Sequence, residues 1–298
     1  MLVVTIMVGS KLYKRFNIKR LLSMKKIIFA TPLLALLFVA CDPISDNNGP
    51  GASVTADELT SELQFKPKSA GNNNITIVTS PARYIKVYDS NTQKLLKEGT
   101  APVVQVVPPT TTPSFYVETI NPDGSVIKSS SKSITVTNYT DLPNIYYKLF
   151  GDNLGTTKWS WDTTASDGVW GNGAYLENTG PGWWVVQASG IDEQAVGINL
   201  PLDGSNGWFT LSLTGVTTSR GENGSVTATE DLVKAGWDIG TLTFSGTIPL
   251  LGIQHNKGNA RQYVYQILKA DGNSLRLCAP EPGSGDWGTA WFWNFKKQ

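Results

Sequence analysis

Tryptophans are the residues of this sequence whose type and spacing point most directly to a chemical role. All ten lie between Trp159 and Trp293, in the second half of the 298-residue chain. An exposed indole can stack on the apolar face of a sugar ring while nearby amide and carboxyl groups bind its hydroxyls. Indoles in Gly-rich loops, such as Trp170 and Trp287, are expected to be exposed. At most one of the adjacent Trp183 and Trp184 is expected in the core, because adjacent strand residues point to opposite faces. The sequence therefore predicts a ligand-binding set: Trp170, Trp183, Trp184, Trp287, Asp286 and Asn172.

The remaining tryptophans are predicted mainly from strand alternation. Trp291 and Trp293 lie two residues apart on a terminal strand, so both are expected to face one core. Trp159 and Trp161 share a face in the same way, whereas Trp208 is ambiguous. A core position stays the alternative for each tryptophan of the predicted ligand-binding set.

Carboxylates do not show the spacing that a glycosidase uses. Retaining enzymes place two carboxyl groups about 5–5.5 Å apart, and inverting enzymes place them about 6.5–9.5 Å apart. Here Asp192 and Glu193 are adjacent, while Glu230 and Asp231 fall in a predicted helical turn. No catalytic residue is predicted, although acids brought together by the fold remain an alternative.

No cofactor is expected, because histidine and cysteine show no metal-ligand spacing. Cys278 lies in an alternating segment and is predicted to be a buried small hydrophobe, and the single histidine, His255, lies in a polar turn. A structural Ca²⁺ held by loop acids stays open, with Asp152, Asp162 and Asp167 as examples.

The N-terminus has the pattern of a signal peptide over residues 1–40, of which 1–23 are interpreted as an upstream extension. Lys25 and Lys26 precede an apolar run that ends at Ala40 and is too short to span a bilayer as a helix. The residues around Cys41 resemble the lipobox of bacterial lipoproteins. Cys41 is therefore predicted to be acylated, and 41–53 to form a lipidated tether.

Charge argues against a nucleic-acid partner. After residue 40, 18 basic and 24 acidic residues remain, a net charge of −6, with no clustered basic face. The polar, acidic stretch after Cys41 suggests export to the outer surface.

The strand pattern predicts an all-β chain of two modules. Residues 54–141 contain short segments rich in β-branched and aromatic residues, bounded by turn residues, which favour an immunoglobulin-like or PKD-like sandwich serving as a spacer. Residues 144–298 contain a second series of such segments and are predicted to form a larger jelly-roll-type sandwich, the candidate glycan-binding domain.

Five parts of the sequence carry a resemblance to a known group of proteins: 71–75, 158–162, the Trp183–Trp184 pair, 246–252 and 282–296. These parts resemble a group of Bacteroidetes outer-membrane lipoproteins. The layout is similar to that of surface glycan-binding proteins of polysaccharide-utilisation systems: lipobox, immunoglobulin-like or PKD-like module, then Trp-rich sandwich. The resemblance implies an outer-membrane, cell-surface location and a role with glycans.

The leading hypothesis is a membrane-anchored lipoprotein that binds a polysaccharide or oligosaccharide without catalysis. One alternative is an adhesin or assembly component that contacts surface proteins through a sheet face. The other is a glycoside hydrolase or lyase.

Overall fold

The computed structural model describes residues 52–298. The predicted signal peptide, the lipidation site Cys41 and the tether up to residue 51 lie outside the described residues. Within 52–298, no helix has both the length and the hydropathy needed to cross a bilayer.

The first part of the described chain is one short helix followed by eight strands. Thr55 caps the helix, since its side chain accepts from the Glu58 amide while the Glu58 carboxylate accepts from the Thr55 amide. In chain order the elements are α1 (Ala56–Glu62), β1 (Leu63–Pro67), β2 (Asn74–Thr79), β3 (Ile85–Asp89), β4 (Leu95–Gly99), β5 (Val103–Gln105), β6 (Ser114–Ile120), β7 (Val126–Lys128) and β8 (Lys132–Ser133).

These strands form two antiparallel sheets. One has the order β1-β2-β5, and the other has the order β4-β3-β6-β7 with β8 beside β6. Alternate residues of each sheet are buried, such as Ile75 and Ile77 on β2 and Phe115 and Val117 on β6. Phe65 contacts the Phe115 ring edge-on, so a residue of the first sheet packs on a residue of the second.

The second part contains twelve strands and two helices. They are α2 (Asn144–Phe150), β9 (Thr157–Trp161), β10 (Trp170–Ala174), β11 (Trp184–Val186), α3 (Ile191–Gly197), β12 (Phe209–Ser212), β13 (Gly215–Thr218), β14 (Asn223–Thr229), β15 (Thr241–Ser245), β16 (Ile253–Gln254), β17 (Ala260–Arg261), β18 (Val264–Ala270), β19 (Ser274–Pro280) and β20 (Thr289–Lys297).

Eight of these strands close into an antiparallel barrel. The order is β9-β12-β13-β14-β15-β18-β19-β20, and β20 then pairs with β9. Closure depends on the length of β20, because its first half pairs with β10 and its second half pairs with β9. The jelly-roll sandwich predicted for 144–298 is therefore wrong: the strands follow one another around a single closed sheet. The coarser prediction of a mostly β protein is confirmed, with 40% of the described residues in strands and 12% in helices.

Aromatic side chains fill the barrel. Trp159, Trp161, Trp291 and Trp293 are all buried, which confirms the core position predicted from their alternation. Each of these indoles donates a hydrogen bond inside the protein, for example from Trp293 Nε1 to the Leu251 carbonyl over 2.9 Å.

Helix α2 joins the two parts. Its Tyr146 hydroxyl donates to the Pro108 carbonyl in the first part and accepts from the Ala228 amide on β14. Residues 52–298 form one compact unit, and buried residues of both parts belong to one continuous core.

A buried ionic network packs against the barrel core. Asp203 is fully buried and is paired with Arg220, whose side chain is only 6% exposed. Glu222 binds Arg261 and accepts from Thr247 Oγ1 over 2.7 Å. The Arg261 hydrogen bonds are the main reason why the pKa of Glu222 falls to about 2.

Glu222→Gln is expected to lower the free energy of unfolding at neutral pH by about 2–3 kcal/mol, because the pKa of Glu222 is lowered from 4.5 to about 2 in the fold. Because the pKa of Glu222 is lower in the folded protein than in the unfolded chain, its carboxylate stabilises the fold at pH values above 4.5. This contribution is lost as the pH falls from 4.5 toward 2. The difference between wild type and variant should therefore shrink below about pH 4.5 in urea unfolding curves. Glu177→Gln, in a more exposed pair with Lys234, is the control. A pH-independent difference would contradict the charge-based explanation.

Candidate functional site

The ten tryptophans differ sharply in exposure. Six are buried, two are half-buried, and two are exposed by more than half of their surface. The buried ones are Trp159, Trp161, Trp170, Trp237, Trp291 and Trp293; Trp184 and Trp208 are half-buried; Trp183 and Trp287 are exposed at 54% and 65%.

Trp170 was predicted to lie in an exposed loop, but it does not. It begins strand β10, is fully buried, and its ring centroid lies 5.1 Å from that of Trp291. The neighbouring glycines instead allow the backbone of an adjacent strand to come close to β10. A Cβ at Gly171 would collide with the Trp184 carbonyl oxygen, so the Gly-rich pattern reflects tight strand packing. Exposed sugar stacking by Trp170 is therefore excluded in this conformation.

Asn172 organises the backbone next to it. Its side-chain Oδ1 accepts from the Trp184 amide over 3.2 Å, and its carbonyl accepts from the amides of Gly182 and Trp183. The side chain is half-buried. Asn172 thus holds Trp183 and Trp184 in position where β11 begins.

Trp184 belongs to an aromatic cluster that sequence reasoning did not bring together. Its ring stacks on His255 with a centroid distance of 5.8 Å and an interplanar angle of 16°. Trp170 and Trp291 contact both rings. His255 comes from a distant turn after β16, and no local sequence signal links it to this cluster.

Polar groups line the same cluster. The Glu281 carboxylate accepts from Trp291 Nε1 over 3.2 Å and from Asn256 Nδ2 over 2.7 Å. Among the described residues, the buried atoms Trp170 Nε1 and His255 Nδ1 have no hydrogen-bond partner. Unpaired buried donors destabilise a fold, because they lose their bonds to water without replacement.

Trp170→Phe is therefore expected to cost about 1 kcal/mol less stability than Trp161→Phe. Both substitutions remove the pyrrole part of a buried indole, but Trp161 Nε1 also donates to the Asp203 carbonyl over 2.8 Å. Denaturant unfolding of both variants measures the difference. Equal losses would show that Trp170 Nε1 is satisfied in solution.

Trp287 is the most exposed tryptophan, and its backbone is unusual. Its φ angle is +63°, a left-handed conformation that costs a non-glycine residue about 1–3 kcal/mol. The turn is well held, since the Trp287 amide donates to the Tyr175 carbonyl and the Gly288 amide donates to the Gly285 carbonyl over 2.8 Å. Asp286 beside it is also exposed.

Trp183 and Trp287 are fixed to the same short segment of chain. The Trp183 amide donates to the Asn172 carbonyl over 3.0 Å, and the Trp287 amide donates to the Tyr175 carbonyl over 3.1 Å. Tyr175 is buried between Trp237 and the β-sheet, and burial raises the pKa of its phenol, with a smaller contribution from Asp286. The backbones of the two exposed tryptophans are thus bonded to residues within β10 and directly after it.

Several acids of the second part are engaged in local contacts. Asp162 accepts from Thr164, Asp167 pairs with Arg276, and Asp192 accepts from Ser205. In the range 52–298, no group of three His, Cys, Asp or Glu residues is placed to hold a metal ion. Cys278 is buried as predicted, and burial raises the pKa of its thiol well above the ordinary value.

No family model matches the sequence, and no curated protein matches it significantly.

Proposed function

We propose that this protein is a membrane-anchored lipoprotein that binds glycans without catalysis, with Trp287 and Trp183 stacking on sugar rings. The observation that carries the proposal is Trp287: it is 65% exposed and held at a positive φ angle. Most of this residue is exposed to water, although its backbone conformation is strained. Strained, exposed aromatic residues of this kind are typical of binding sites.

The position of the two indoles supports a binding surface outside the barrel. Aromatic residues fill the barrel interior, so a ligand meets the protein at the exposed side chains of Trp183 and Trp287. Asp286 next to Trp287 offers a carboxylate to sugar hydroxyls, while the rigid turn keeps the indole from collapsing onto the surface. Preorganised aromatic side chains lose little conformational entropy on binding.

The proposal also assigns membrane attachment to Cys41 and a spacer role to the first module. Acylation of Cys41 would hold the protein at the outer membrane and the cell surface, as the lipobox resemblance implies. The first module is proposed to be an immunoglobulin-like spacer, which is supported by its two sheets of three and four main strands with the orders β1-β2-β5 and β4-β3-β6-β7.

Trp287→Ala is expected to weaken binding to the recognised polysaccharide about 30-fold, the loss of a central aromatic contact worth about 2 kcal/mol. Calorimetric titration against a panel of purified polysaccharides measures it, together with Trp183→Ala. Trp208→Ala removes a half-buried indole that lies beside Lys158 on another strand and is the matched control.

Three outcomes separate the alternatives. Weakened binding in the Trp287 variant with no release of reducing ends supports a glycan-binding role. Release of reducing ends by the wild type would instead support a hydrolase. The absence of binding to every glycan, with all variants folded, would overturn the proposal and favour a protein partner.

A further inference from the structure

Three exposed apolar side chains form a patch on the first module. Tyr84, Ile120 and Val126 are exposed at 56%, 65% and 60%. Ile120 lies opposite Val126 in the β6–β7 hairpin, so both point to the same face. Tyr84 directly precedes β3, whose Lys86 lies opposite Glu118 on β6, which places Tyr84 on that face too. We call these three residues the apolar patch.

The described range begins at residues that contact the sequence neighbours of this patch. The Ala52 carbonyl accepts from Arg83 Nη1 over 3.1 Å, and Arg83 is the neighbour of Tyr84. Val54 exchanges two hydrogen bonds with the side chain of Asn121, the neighbour of Ile120, at 2.9 and 3.1 Å. The start of the described range is therefore fixed to residues that adjoin two members of the apolar patch in sequence.

The charges of the paired strand residues beside the patch cancel, and Asp123 in the exposed turn between Ile120 and Val126 adds one negative charge. On the same sheet face, Lys86 lies opposite Glu98 and Glu118, and Glu118 lies opposite Lys128. Arg83 is paired with Glu62. The patch therefore offers apolar and tyrosine surface without a strong field of either sign, which suits the interfacial layer of a bilayer better than an anionic surface.

We propose that the apolar patch rests on the interfacial layer of the membrane in which the chain is anchored. The proposal rests on the predicted acylation of Cys41. Eleven residue steps separate Cys41 from Ala52, so the two lie at most about 40 Å apart even with the chain fully extended. An anchor at that distance keeps the patch at high effective concentration near the lipid, so a weak contact suffices.

A polarity-sensitive fluorophore on the acylated full-length protein tests this. Val126→Cys carries the label in the patch, and Thr227→Cys carries it on the exposed face of β14 as the matched control. Cys278 is buried and does not compete for the label. In neutral phosphatidylcholine vesicles, the label at 126 is expected to emit at shorter wavelength and to be quenched by lipids spin-labelled near the headgroup. The label at 227 should show neither effect, and added salt should change nothing.

Two results would overturn the proposal. One is equal quenching at both positions while the protein floats with the vesicles. The other is a blue shift at 126 that rises with protein concentration and is insensitive to spin-labelled lipid, which would indicate a protein occupant. If the full chain does not float with the vesicles, the predicted acylation of Cys41 is contradicted, and the patch remains to be tested. The same two labels on a chain beginning at Ala52, tethered by an N-terminal histidine tag to nickel-chelating lipid, then decide the question for the patch alone.

Discussion

Arg220→Met is expected to lower the free energy of unfolding by about 3–5 kcal/mol, the usual cost of breaking a buried ion pair from one side. Arg220 Nη1 contacts both carboxylate oxygens of Asp203, a side chain with no exposed surface. Methionine keeps much of the side-chain volume but leaves that carboxylate without its counter-charge. Among residues 52–298, only the Leu251 amide, at 2.8 Å, then remains as a donor to this carboxylate. Denaturant unfolding at neutral pH measures the loss.

The pH dependence identifies the cause. Burial raises the pKa of Asp203, and Arg220 opposes that rise. Without Arg220 the pKa rises further, and a raised carboxyl pKa means that stability is lost as pH increases above the unfolded value of about 3.9. The destabilisation should therefore grow as the pH rises above about 4. Lys68→Met breaks an exposed pair with Asp141 and should change stability little at any pH. Equal effects of the two substitutions would contradict the network's role.

Strand alternation was enough to place four of the ten indoles. Trp291 and Trp293 alternate with Phe292, and backbone geometry alone sends them to one face of β20. The pattern of short strands separated by turn residues likewise predicted a mostly β fold, because strand length and turn chemistry are local properties.

Glycine-rich segments were harder to interpret from sequence. The flanks of Trp170 favour a loop by composition, yet Gly171 and Gly173 lie within β10 and permit contact with the backbones of Trp184 and Gly182. A glycine that allows close approach and a glycine that allows a turn look the same in one sequence. Trp287 shows the second case, since its turn is exposed.

Features that depend on distant partners carried no local signal. Barrel closure pairs Phe295 with Trp161, which lie at opposite ends of the second part. The residue types of the two strands do not predict this pairing. The segment from Ala195 has the alternation of a strand, but Ile191–Gly197 is helical, since short apolar runs fit both periods. The His255 contact with Trp184 arises only once β16 is placed beside β10 and β20.

Trp293→Ala is expected to lower the free energy of unfolding by about 3–5 kcal/mol, the range for truncating a large buried aromatic residue. Trp293 is fully buried on the strand that closes the barrel, and its ring meets the edge of Tyr265 at 5.1 Å. Alanine removes these contacts and the hydrogen bond to the Leu251 carbonyl. The surrounding strands pair on both sides and can collapse only partly, so a cavity should remain. Thermal and denaturant unfolding measure the loss.

The cavity offers a second readout. Free indole added to the Trp293→Ala protein should bind in the vacated space and restore part of the stability in a concentration-dependent way. Trp208→Ala is the matched control, because Trp208 is half-buried and its ring faces Lys158 on the barrel exterior. That variant should lose less than about 1 kcal/mol and gain nothing from indole, as is usual for surface truncations. Similar losses and similar rescue in both variants would mean that the barrel is not closed around Trp293, because only an enclosed cavity distinguishes the two sites.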